Sequence, residues 1–343
     1  MTDNEQYADL VFEGGGVKGI GLAGAFATLT ERGFTPKSVA GTSAGAITAA
    51  LVAAGYSAAE LDAILRDLPF ADFKDKGWED KVGLPGQLFS LLHDKGIYEG
   101  KRFQTWMSEL LEARQITRFG QLAYEDPEVP GKHYRLKVIA SDVTHRRMLV
   151  LPDDAGHLGI VPDDLDIAYA VRMSMSIPIF FEPVVHSNKD TGEEHLIVDG
   201  GMLSNFPVWL FDSKGREPRW PTFGLMLVEP EPQKPIGHRL EDEDHGVERG
   251  SLIDYVKSLA STMMAAHDRL YLESATYART IAIKTLGVGT TEFDIKPERV
   301  KALYESGQAA ASDFLDKWDF KAYIEEFRRG KELPGRRDLL HST

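Results

Sequence analysis

The residues of this chain whose types and spacing suit chemistry lie in three glycine-rich turns. One is Gly41-Thr42-Ser43-Ala44-Gly45, a G-x-S-x-G pattern. A serine on a sharp strand-to-helix turn projects its hydroxyl outward, and Gly41 and Gly45 keep neighbouring side chains clear of it. The helix that follows would set its positive end beside Ser43, where negative charge develops during acyl transfer. A five-residue pattern also fits a plain turn. Here a strand precedes it and an apolar helix follows, which is the setting a nucleophilic serine requires.

A second turn comes earlier in the chain, Gly14-Gly15-Gly16-Val17-Lys18-Gly19. Consecutive glycines allow several backbone N–H groups to face one point, as an oxyanion or a phosphate requires. Lys18 would add a charge for a lipid phosphate or hold the loop in place. The same stretch satisfies G-x-G-x-x-G, so a nucleotide- or dinucleotide-binding α/β protein is the alternative reading. That alternative expects a carboxylate at the end of the second strand to hold a ribose. The second strand instead runs into Gly41-Thr42-Ser43, and the acidic residue Glu31 lies earlier, in the helix.

The third turn, Asp199-Gly200-Gly201, ends a short apolar strand. Such strand ends are where α/β folds build sites, although an isolated Asp-Gly also fits an ordinary turn. A serine–histidine–aspartate arrangement would need a histidine. Ten are present, among them His93, His133, His145, His157, His186, His195 and His267, and their settings single out none.

The elements that must position these turns follow from apolar periodicity. Strands are expected at residues 7–12, 37–40, 134–140, 147–151, 181–185, 195–198, 222–228 and 279–284. Helices are expected at 20–32, 44–54, 57–68, 102–112, 165–175, 252–278 and 299–317. Ser57 and Glu60 form a capping-box pattern ahead of the third helix. Residues 69–97 are irregular, and residues 229–250 are rich in Pro, Glu and Asp and read as an exposed, mobile loop. Strands alternating with helices imply an α/β fold with a largely parallel central sheet. Strand signals resume after the loop, so a single domain over residues 1–343 is expected. Its motif-bearing core covers about 8–208, and further strands and helices fill about 222–320.

With 343 residues, 43% of them hydrophobic, the chain can bury a sizeable core. Its net charge of −14 disfavours nucleic acid as a partner. Cysteine is absent, which excludes disulfides and thiolate chemistry. The first residues lack a signal-peptide pattern, and the most apolar run, 44–55, is too short to span a bilayer. A cytoplasmic protein that meets any lipid from the water side, as a peripheral contact, is therefore expected. Oligomeric state and any activating partner stay unread.

Together and in this order, the three turns resemble the patatin-like phospholipase family. The segment Met173 to Phe181, with Pro178 and Phe181, is similar to the family's stretch ahead of the aspartate strand. Asn205 and Pro207 follow Asp199 as the family's Asn-x-Pro does. Where the family segment is rich in Ala, Met173 to Ile177 alternates Met and Ser. The resemblance covers about residues 8–208. It implies a three-layer α/β/α fold and a serine lipid acyl hydrolase of the phospholipase A or lysophospholipase type. It implies a catalytic dyad of Ser43 and Asp199 working through an acyl-enzyme. Gly14, Gly15, Gly16 and Val17 would form the oxyanion hole, with phospholipid or lysophospholipid as substrate. No metal or organic cofactor is implied.

Overall fold

The structure, a computed structural model, describes residues 6–66, 97–178, 181–213, 216–229, 274–289, 292 and 295–330. The irregular stretch expected at 69–97 lies outside them up to residue 96, as do the loop expected at 229–250 beyond residue 229 and the helix expected at 252–278 up to residue 273.

Strand β1 (Gln6–Phe12) is buried from Ala8 onward, as a strand covered on both faces should be. After the glycine turn, helix α1 (Ile20–Glu31) is buried along ten consecutive residues, Ile20 to Leu29, so its sequence is apolar all round. It stops at Gly33, whose φ of 89° breaks the helix without strain. Strand β2 (Phe34–Thr42) leads directly into α2 (Ala44–Ala53). Helix α3 (Ala58–Arg66) opens with the expected capping box: Ser57 N donates to Glu60 Oε2 at 2.9 Å and Glu60 N donates to Ser57 Oγ at 3.4 Å. Helix α4 (Ile97–Ala113) follows. A hairpin of β3 (Ala123–Asp126) and β4 (Val129–Tyr134) precedes β5 (Leu136–Asp142). Then come β6 (Arg147–Leu151), α5 (Ile167–Ser174), β7 (Val184–Ser187) and β8 (Glu194–Asp199). Strands β9 (Thr222–Val228) and β10 (Thr280–Lys284) and helix α6 (Pro297–Leu315) follow, with short helical segments at Ser274–Tyr277 and Phe320–Tyr323.

The main sheet runs in the order β10-β9-β1-β2-β5-β8-β7, and β6 also pairs with β5. From β10 to β5 all neighbours are parallel. Strands β6, β8 and β7 join antiparallel. The sheet is thus largely parallel with an antiparallel flank.

Strand β5 has three partners, and their registers explain how. Strand β2 pairs with Leu136 to Ile139, while β6 pairs with Val138 to Asp142. Residues 138 and 139 face both, so β2 and β6 occupy opposite edges of β5. Strand β8 pairs with Ala140 to Asp142, continuing the edge where β2 stops. It arrives antiparallel, so the C-terminal ends of β2 and β8 meet head-on.

Alternation along the strands divides the core between two faces. Leu10, Phe12, Val39, Phe223 and Leu225 enter one large cluster with Phe26 of α1, Ile47 of α2, Met107 of α4, Val171 of α5 and Leu303 of α6. Val11, Ala40 and Met226 point to the other face, where Phe206 and Val208 cover them.

Candidate active site

Ser43 occupies the step from β2 to α2. Its backbone has φ 54° and ψ −129°, a conformation that costs a non-glycine residue energy and persists only when its surroundings impose it. The surroundings here are backbone. A Cβ on Gly41 would lie 2.2 Å from Gly45 O, and one on Gly45 would lie 2.3 Å from Phe12 O. Any side chain at either position would drive β2, α2 and the end of β1 apart. Ser43 N donates to Ser174 Oγ at 2.9 Å, which fixes the turn to the end of α5.

Asp199 is the last residue of β8, with its side chain fully buried. The sheet register explains why it sits beside Ser43. Thr42 pairs with Ile139 and Asp199 pairs with Ala140, one residue further along the same edge of β5. Asp199 N donates to Ser176 O at 2.9 Å, and Asp199 Oδ1 accepts from Gly201 N at 2.7 Å. Burial pushes its carboxyl up to about 7, while the Ser43 hydroxyl and the Gly201 N–H pull in the opposite direction. The serine is thus an electrostatic neighbour of the acid without a formed hydrogen bond. Ser43 Oγ turns instead toward Met175 Sδ, 3.8 Å away, and Asp199 Oδ2 has no hydrogen-bond partner among the described residues.

The glycine loop lies against this elbow. A Cβ on Gly14 would meet Ser43 Cβ at 3.0 Å, and one on Gly19 would meet Ala44 Cβ at 3.6 Å. Gly16 adopts φ 55°, the left-handed region that glycine enters without penalty. Gly14 N–H is engaged with Asn205 O at 3.2 Å, so this member of the expected oxyanion set is not free to donate. The N–H groups of Gly15, Gly16 and Val17 find no acceptor among the backbone bonds of the described residues.

A family model described as patatin-like phospholipase matches residues 10–212. The chain belongs to this family. It is 37% identical over 314 residues to "Uncharacterized protein YqhO" of Bacillus subtilis (strain 168), a match covering 92% of this chain and all of that protein. It is 28% identical over 204 residues to "Probable lipid hydrolase 463L" of Invertebrate iridescent virus 6, covering 59% of this chain and 62% of the viral protein. Among solved structures, VipD from Legionella pneumophila is similar at a TM-score of 0.49 and 18% identity, covering 91% of this chain and 67% of that one.

As a patatin-like phospholipase, the protein is a carboxylic ester hydrolase. Other residues of its site were not singled out as contacts by sequence reasoning. Ser174 and Met175 touch Ser43 from the end of α5, within the Met-Ser stretch that departs from the family's alanine-rich one. Asn205 is a clamp: its backbone oxygen holds Gly14 N, and its Nδ2 donates to Gly14 O at 3.0 Å and to Glu13 Oε1 at 3.3 Å. Lys18 Nζ pairs with Glu229 Oε1 at 2.7 Å, at the end of β9. Strand β2 brings no carboxylate to the loop, which the nucleotide alternative expects. Among the described residues no histidine hydrogen-bonds to Ser43 or Asp199. No helix among them is long and apolar enough to cross a membrane.

Proposed function

We propose that this patatin-like protein cleaves acyl ester bonds of glycerophospholipids or lysophospholipids at a membrane surface, with Ser43 as nucleophile and Asp199 as its base. One observation carries this reading. The head-on meeting of β2 and β8 sets a strained serine beside a buried aspartate that keeps one oxygen unpartnered. An ordinary carboxylate is too weak a base at neutral pH. A carboxyl raised to about 7 is matched to the task.

In the proposed reaction, Ser43 Oγ swings from Met175 toward Asp199 Oδ2 and gives up its proton there as it attacks the ester carbonyl. The N–H groups of Gly15, Gly16 and Val17, with the positive end of α2, stabilise the oxyanion. The leaving alkoxide takes the proton from Asp199, and an acyl-enzyme remains on Ser43. Water then gives a proton to Asp199 and attacks the acyl carbon, and Ser43 recovers that proton as the fatty acid departs.

A fluorophosphonate probe should label the protein on Ser43, and Ser43→Ala should lose both labelling and hydrolysis of defined phospholipids. Labelling that persists in Ser43→Ala would assign the nucleophile elsewhere.

A further inference from the structure

A second cluster of chemically capable side chains lies apart from the serine, at the far end of the strand that carries Asp199. Asp142 ends β5, His145 follows in the turn to β6, and His195 lies on β8. Asp142 Oδ2 accepts from His145 Nδ1 at 2.9 Å and from His195 Nδ1 at 3.0 Å. One ligand atom from each of the three residues falls within 4.8 Å of the others. Asp142 and His195 are fully buried, whereas the His145 side chain is 22% exposed and leaves a route from solvent.

We propose that Asp142, His145 and His195 form a binding site for a divalent transition-metal ion of the zinc class, joining the β5–β6 turn to β8. Two imidazoles and a carboxylate are the donor set such ions favour. With ligand distances of about 2.0 Å, tetrahedral geometry separates ligand atoms by about 3.3 Å. The Nδ1-to-Oδ2 distances of 2.9 and 3.0 Å need to open only slightly to admit the ion.

One further contact supports the site. His145 Nε2 donates to Glu193 Oε1 at 2.7 Å, the outer carboxylate that commonly orients a ligating histidine. His195 Nε2 is buried with no partner among the described residues, and Nδ1 is held by Asp142 Oδ2. An ion bound at Nδ1 takes the place of that hydrogen bond, with the N–H of the ring then on Nε2. His145 faces a carboxylate from each ring nitrogen. Ion binding displaces its Nδ1 proton and leaves the Nε2–H on Glu193. Arg147 opposes the ion, since its Nε stands 3.4 Å from Asp142 Oδ2.

The test uses the full chain, stripped with chelator and desalted, and titrated with zinc chloride by calorimetry at about pH 7.5. One saturable ion per chain is expected, with a rise in melting temperature. His145→Gln, at the rim, should keep the fold and lose the binding. Glu193→Gln should weaken it roughly 10–100-fold. Arg147→Gln should tighten it. Absence of saturable binding, or binding equal in wild type, His145→Gln and His195→Ala, would overturn the proposal. The cluster would then be a hydrogen-bonded hub, and any bound zinc an adventitious ion only.

Discussion

Two buried aspartates in the central sheet invite comparison. Asp9 lies in β1 and Asp199 at the end of β8, and burial raises both to about 7. Their immediate surroundings differ. Both oxygens of Asp9 are occupied: Oδ1 accepts from Ser38 N at 3.0 Å and Oδ2 from Trp220 Nε1 at 2.8 Å. Asp199 has one oxygen held by Gly201 and one unpartnered, with a serine hydroxyl as neighbour. A shifted pKa alone therefore does not mark a site, because structural burial produces the same shift. The open acceptor beside a potential proton donor separates the proposed base from a structural acid.

The largest effect should come from exchanging each acid for its amide. Asp199→Asn preserves shape and removes the base, so kcat should fall roughly 10²–10⁴-fold. In the wild type, kcat/KM should rise with pH and level off above about 7, because Asp199 must be ionised to accept the Ser43 proton. Asp9→Asn should leave both kcat and that pH limb in place. A pH–rate profile of the two variants beside wild type checks this. An equal loss of rate in folded Asp9→Asn would erase the distinction between the two acids.

Most of the parallel sheet was legible in the sequence, since β1, β9 and β10 are short apolar runs whose bounds stand out. Gly41 and Gly45 were legible for a related reason. Backbone must approach backbone there, and only glycine permits it. The β3–β4 hairpin was not foreseen, because its strands are polar and short and Pro130 and Gly131 interrupt any alternation. Strand β7 begins at Val184, three residues later than expected from Phe181. The branching of β5 is a matter of register between distant segments, which local pattern does not carry. Asp142 and His195 meet across 53 positions and Lys18 and Glu229 across 211, so no spacing rule joins them.

The next effect is on stability, and here the acids should behave alike. Each has a folded pKa of about 7 against an ordinary value of 3.8. Below 3.8 both folded and unfolded forms hold the proton and burial costs little. Between 3.8 and about 7 the unfolded chain has released a proton that the folded chain keeps, so stability falls as pH rises. Each acid should contribute on the order of 4 kcal/mol to that decline as an upper bound, at 1.36 kcal/mol per unit. Urea unfolding between about pH 4 and pH 8 should show a flatter profile in Asp9→Asn and in Asp199→Asn than in wild type. An unchanged profile in either variant would mean that its acid stays ionised throughout.

The smallest expected effect comes from making Asp9 resemble Asp199. Trp220→Phe keeps an aromatic ring beside Tyr7, Lys37 and Arg219 but removes the Nε1–H that Asp9 Oδ2 accepts. That hydrogen bond lowers the pKa of Asp9, so its loss should raise the pKa further. An acceptor left buried and unpaired costs about 1–3 kcal/mol. The cost should grow with pH, because the missing donor stabilises the ionised carboxylate more than the protonated acid. Unfolding of Trp220→Phe at about pH 4.5 and about pH 8 should therefore differ from wild type by a small and a larger margin, in that order. The rate of ester hydrolysis should not change, since the serine beside Asp9, Ser38, is hydrogen-bonded to the Tyr124 hydroxyl at 3.0 Å and lies within β2 rather than on the strained elbow. A margin independent of pH would trace the loss to ring packing and leave the Trp220 donor without influence on Asp9.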